Sequence, residues 1–148
     1  MAHAAPATGA VTRRGALPDV FSERTHAIAR WATPAVLGLI YGYWAAANTR
    51  YGGPITGWNL LFGFVTAIVF FAVYMGVQAL APRLPRELHA VLWGAFAGIA
   101  VGFLFSLSGR GHAVLESAIL GLVIGAVVFC TLFYRYYTHE DAEGHRIR

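Results

Sequence analysis

WNLLFGFVTAIVFFAVYMGVQALA, from Trp58 to Ala81, runs its whole length without a charged side chain. About 20 apolar residues carry an α-helix across a hydrocarbon core of about 30 Å. Three more stretches of this kind surround it: Trp31 to Ala47, Leu88 to Ser108 and Ala113 to Tyr134. Their apolar residues form continuous runs and do not recur with the period of 2 or 3.6 that marks a half-buried strand or helix. The expected fold is therefore all-α: an integral membrane four-helix bundle made of two antiparallel transmembrane hairpins.

The cations set the orientation. All eleven are arginines. Arg13, Arg14, Arg24 and Arg30 precede the first stretch, Arg83 and Arg86 join the second to the third, and Arg135, Arg146 and Arg148 follow the fourth. The two remaining connections hold one each, Arg50 and Arg110. Excess positive charge marks the cytoplasmic side, so both termini are expected to be cytoplasmic, in a bacterial cytoplasmic membrane.

With 57% hydrophobic and only 12% charged residues, a soluble domain of this size could not cover its apolar surface. Four spans use about 85 residues, leaving room for tails and short loops only. Residues 1–30 are read as a basic cytoplasmic tail, with an interfacial amphipathic helix over 19–30. Residues 31–134 form the transmembrane domain, and 135–148 a cytoplasmic tail. The arginines flank spans and are not interleaved with aromatics as in a nucleic-acid surface. They point to anionic lipid headgroups of the bilayer, and nucleic acid is not an expected partner. Cys130, the one cysteine, excludes an intrachain disulfide.

The first stretch has some features of a cleavable leader, including the small-residue site Ala45-Ala46-Ala47. The long leader carries Asp19 and Glu23, however, and Tyr41, Tyr43 and Trp44 crowd the site, so the stretch is expected to remain. Pro34 is placed in its first turn, where a missing N–H matters least. Trp31, Tyr134, Tyr136 and Tyr137 are expected at the inner interface, and Trp44, Tyr51 and Trp58 at the outer one. A parallel duplication is suggested by two matches: Ala35-Val36-Leu37 with Ala90-Val91-Leu92, and Thr66–Phe70 with Gly125–Phe129.

Small residues recur every fourth position. The third stretch has Ala90, Gly94, Gly98, Gly102 and Ser106; the fourth has Ala113, Ser117, Gly121 and Gly125; the first has Gly38, Gly42 and Ala46. In lipid, helices associate through close backbone contact, which small residues permit. Each four-residue step drifts by about 40° around the helix. Either one neighbour follows the stripe by crossing at about −40°, or its two ends serve different neighbours. The stripes therefore fit packing within the chain or a homo-oligomer interface.

Glu116 is the one acidic residue inside an apolar stretch. An intramembrane carboxylate suggests an ion or substrate path, and Arg110 and His112 lie just before it, so the three form a candidate outer-facing ion or ligand site. The competing reading is simpler: in the first turn of its helix, Glu116 is favoured by the helix dipole. His89 and His112 start at opposite faces, about a bilayer apart, which speaks against a haem between them. The ending Thr138-His139-Glu140-Asp141-Ala142-Glu143-Gly144-His145 offers imidazoles and carboxylates to a metal, but Glu143 stands where an H-E-x-x-H motif needs histidine. A solvated helical extension and polar tail is expected, with no metal or cofactor. Asn59, Thr66, Gln78, Ser106 and Thr131 are read as interhelical hydrogen-bonding groups rather than a pore lining. No phosphate loop, Ser-His-Asp set or carboxylate pair is present, and no enzymatic activity is expected.

The stretch Ala35-Val36-Leu37-Gly38-Leu39-Ile40-Tyr41-Gly42-Tyr43-Trp44 and the ending Tyr134-Arg135-Tyr136-Tyr137-Thr138-His139-Glu140-Asp141 resemble the small, uncharacterised four-span membrane proteins of high-GC Gram-positive bacteria. The resemblance spans most of the chain and implies no activity. The expectation that follows is a non-enzymatic accessory subunit or self-assembling scaffold, with a homo-oligomer or another membrane protein as partner. The alternative is a small transporter or channel using Glu116, and third comes a redox subunit.

Overall fold

The computed structural model describes residues 23–109 and 114–139. Within them the chain is all-α. Helix α1 (Glu23–Arg50), α2 (Gly57–Leu80), α3 (Arg86–Ser106) and α4 (Val114–His139) follow one another, with a 3₁₀ turn at Ala81–Arg83 between α2 and α3.

The boundaries follow from local chemistry. Helix α1 ends where Tyr51 and Gly52 both take positive φ, 48° and 81°. Left-handed geometry costs a residue such as Tyr51 about 1 kcal/mol, and the Gly53 N–H recovers a bond to the Arg50 carbonyl at 2.8 Å. Thr56 opens α2 with a capping box. The Asn59 N–H donates to Thr56 Oγ1 (3.3 Å) and the Thr56 N–H to Asn59 Oδ1 (3.4 Å), satisfying donors that a helix start leaves open. Pro82 and Pro85 interrupt the run between α2 and α3, and Pro85 is the N-cap of α3.

Several expected boundaries move. Residues 23–30, expected in a separate interfacial helix, are the first two turns of α1, while 19–22 lie outside the described residues. Pro34 consequently stands inside α1, not in its first turn, and is wholly buried. Its ring removes the N–H that the Arg30 carbonyl would accept. At the other end, no glycine or proline interrupts the chain at Tyr134, and α4 continues to His139. The described start of the expected tail is therefore helical.

Helices α2, α3 and α4 are long and apolar enough to cross a membrane, over Gly57–Arg83, Arg86–Ser106 and Val114–Arg135. Helix α1 does not reach that standard. Its 28 residues span about 42 Å at 1.5 Å each, but Pro34, Tyr41, Tyr43, Asn48, Thr49 and Arg50 dilute a short apolar centre.

Two hairpins, α1–α2 and α3–α4, hold most of the packing, and both are zipped by small residues. A Cβ added to Gly94 would lie 2.7 Å from the Gly125 carbonyl oxygen, and one on Gly102 would lie 2.9 Å from that of Ser117. One on Gly98 would overlap the Gly121 carbonyl. Each step of four up α3 meets a step of four down α4, so a single antiparallel neighbour uses the stripe from Gly94 to Gly102. The Gly Cα–H groups face carbonyl oxygens at these points, a recurrent weak attraction at helix contacts.

The first hairpin repeats this seam. Gly38 faces the Ala67 carbonyl and Phe71 Cβ, as Gly94 faces the Gly125 carbonyl and Phe129 Cβ. Gly42 abuts Gly63 as Gly98 abuts Gly121. The two hairpins therefore share one contact scheme, but in a register one residue away from the sequence matches proposed above. Ala35 corresponds to Val91 rather than Ala90, and Ala67 rather than Thr66 to Gly125.

Between the hairpins the contact is aromatic. Phe70, on which Tyr41 of the same hairpin stacks (centroids 4.5 Å apart), meets Phe96, and Tyr74 meets Trp93 and Phe96 edge-on. The Tyr41 hydroxyl donates to the Ala100 carbonyl at 2.7 Å, and Asn48 Nδ2 to the Leu104 carbonyl at 3.4 Å. Helix α4 packs on α3 alone, so among the described residues the four helices do not close around one shared core.

Candidate functional site

Glu116 lies in the first turn of α4 and is exposed. The helix dipole favours a carboxylate there. Around it is an open groove of apolar residues, Phe105, Ile119, Leu120 and Val123. Arg110 and His112, its expected companions, lie outside the described residues. Beside Glu116, Ser117 turns toward α3 and is 6% exposed. Its hydroxyl has no hydrogen-bond partner among the described residues, and its backbone carbonyl lies against Gly102.

The other polar residues of the helices bond locally for the most part. Thr131 Oγ1 donates to the Val127 carbonyl (2.8 Å) and Ser106 Oγ to that of Phe103 (2.6 Å). Asn59 caps α2, and its Nδ2 donates to Thr49 Oγ1 at 3.4 Å, tying the two ends of the first connection together. Asn59 thus both caps α2 and bonds across to α1. Gln78 keeps its Oε1 buried without a partner among the described residues.

His89, weighed above as a haem ligand, has a structural use. Its ring Nδ1 lies 3.0 Å from the Ala81 carbonyl. A carbonyl only accepts, so Nδ1 carries the proton, and the ring clamps the end of α2 to the start of α3. Replacing His89 by Ala should cost about 1 kcal/mol, the usual net worth of such a bond; unfolding in detergent micelles measures it. Among the described residues, no three His, Cys, Asp or Glu side chains come together as a metal site. The histidine and carboxylates of residues 140–148 lie outside the described residues. Cys130 is exposed.

An open groove of about 320 Å³ is bounded by Val69, Phe70, Val73, Phe96, Ile99 and Phe103. Its only polar lining atoms are the hydroxyls of Tyr41 and Thr66 and backbone groups. The Tyr41 hydroxyl is already committed to Ala100, so a polar solute would find little to bind.

Gly38, Gly42, Gly94, Gly98, Gly102, Gly121 and Gly125 all lie on the two seams. Their close approaches are made within the chain. The sequence reading overlooked their partners Gly63 and Ala67, although the same four-residue spacing marks them in α2. It also overlooked Tyr41 and Asn48 as links to α3. Only the folded arrangement shows which carbonyls they reach.

No family model matches the chain, and no solved structure matches it. Among curated proteins, it is 31% identical over 99 residues to the uncharacterised protein YahC of Escherichia coli K12. The match covers 66% of this chain and 59% of that protein, so the chain spans under two thirds of the relative's length. That relative's name states no activity, and it carries no information about high-GC Gram-positive bacteria.

Proposed function

We propose that the chain is a non-enzymatic integral membrane protein with four spans and both ends on the cytoplasmic side of a bacterial membrane. It works through helix contacts, as an accessory subunit or a self-assembling scaffold. The observation that carries the membrane part is inverted burial. Most buried positions are small, among them Ala45, Ala67, Ala81 and Ala90, whereas Ile99 is 73% and Leu122 74% exposed. Water-soluble chains bury their large aliphatic residues and rarely leave a contiguous apolar patch of this extent.

The partner role is supported by α4. Packed only on α3, it leaves Leu115, Leu122, Val127 and Tyr134 exposed. Because the glycines are consumed within the chain, contact with another protein falls to these larger side chains. In-membrane crosslinking followed by mass spectrometry should capture a second copy or a distinct membrane protein on α4. A strictly monomeric, partnerless chain would sink the proposal.

The rival is a small transporter or channel, favoured by the position of Glu116 beside an apolar groove at one end of α4. Under the leading reading, Glu116→Gln leaves partner capture unchanged and the reconstituted protein carries no flux. Proteoliposome flux that is abolished by Glu116→Gln would establish the rival instead.

A further inference from the structure

We infer that α1 crosses the membrane as a passenger: the arginines flanking the first hairpin force it across, and α3 then satisfies two of the polar groups that make it a poor span, on Tyr41 and Asn48. This rests on the four-span reading above. Three of the helices qualify as spans by their own length and composition, and α1 does not. Something other than its own apolarity must therefore carry it across.

Charge supplies the force. Arg13 and Arg14 lie before α1, Arg24 and Arg30 near its start, and Arg83 and Arg86 after α2. All lie close enough to a span end to be retained on the cytoplasmic side. A chain whose two flanks are held on one side crosses an even number of times between them. Helix α2 crosses by its own apolarity, so α1 must cross with it. Arg50, alone in the intervening connection, is too weak a counterweight to hold that connection inside.

Once across, α1 is held by specific contacts. Gly38 and Gly42 seat it on Ala67 and Gly63 of α2. Two polar side chains of its second half find partners on the next hairpin, Tyr41 on the Ala100 carbonyl and Asn48 on the Leu104 carbonyl. In lipid, these groups would otherwise stay unsatisfied. Two of the features that lower the apolarity of α1 are thus the ones that dock it.

The test uses the full chain in a Cys130→Ser background, with single reporters Ala27→Cys before the span and Ile55→Cys in the first connection. A membrane-impermeant maleimide is applied to spheroplasts. In the otherwise natural sequence, position 55 is labelled and position 27 is protected. With Arg13, Arg14, Arg24 and Arg30 all replaced by Gln, labelling at position 27 should rise to that at position 55, because the amino-terminal segment now crosses and α1 leaves the membrane. Adding Tyr43→Leu and Asn48→Leu should restore protection by making α1 a span in its own right. If the arginine-free chain is degraded, recovery by the two leucines supports the inference and failure to recover overturns it. Continued protection of position 27 without the arginines also overturns it. An unlabelled position 55 in the natural sequence would instead remove the four-span reading, and the passenger with it.

Discussion

Gly98→Leu should prise α3 from α4. At Gly98 even a methyl group would overlap the Gly121 carbonyl oxygen, with the Gly125 Cα 3.2 Å away. Both obstacles are backbone, so no side chain can swing aside. The helices must separate, and separation also opens the contacts at Gly94 and Gly102, because all three lie on one seam. Overpacking of a tight site costs about 1–3 kcal/mol and sometimes more; here we expect about 3 kcal/mol, since lipid offers no hydrophobic drive to restore the pair. Denaturant titration in mixed micelles, read by energy transfer between α3 and α4, measures the loss. The control is Gly76→Ala, where an added Cβ meets nothing within 4 Å. There the helix should gain about 0.5–1 kcal/mol, because alanine gives up less backbone entropy than glycine. Equal responses at the two sites would show that helix propensity governs both, and the seam would lose its assigned role.

The second large effect separates a membrane environment from water. Ile68 stands in the middle of α2 and is 65% exposed. On a soluble protein, an exposed Ile→Arg change away from any special contact stays within about 0.5 kcal/mol. At the centre of a transmembrane helix, arginine costs about 2.5–3.5 kcal/mol on the insertion scale. Ile68→Arg should therefore deplete the membrane fraction or displace α2 toward an interface, readable as a change in glycosylation-site topology. Unchanged insertion and stability would contradict a lipid-facing α2. Glu116, already accommodated in the first turn of its helix, provides a contrast: position along the helix decides the cost of a charge as much as its identity does.

Much of the fold is legible in the residues because the strongest constraints are local. A run such as Trp58 to Ala81 declares a helix by length and apolarity, and Pro82 and Pro85 declare where it stops. The four-residue recurrence from Gly94 to Gly102 declares a close helix contact. The candidate site is less legible. Glu116 stands out as a lone carboxylate, yet whether it performs chemistry depends on what faces it, and Arg110 and His112 lie outside the described residues. His89 illustrates the difficulty. Its residue type suggests a ligand, but the backbone turn at Ala81–Arg83 brings a carbonyl to its ring, and no periodicity foretells that.

The sequence by itself determined that this chain is helical, where three strongly apolar helices run, and that small residues occupy their contacts. These are properties of residue type and spacing along a single helix. The tertiary structure alone decided which stripe meets which: Gly38 and Gly42 against Ala67 and Gly63, and Gly94, Gly98 and Gly102 against Gly125, Gly121 and Ser117. It alone placed α4 on α3 without closing on α1 or α2. It also shifted the duplicated register by one residue. The physical reason is that close backbone packing is set by the mutual depth and rotation of two helices. A one-residue change in register turns a helix by about 100°, while the spacing of glycines within each helix stays the same.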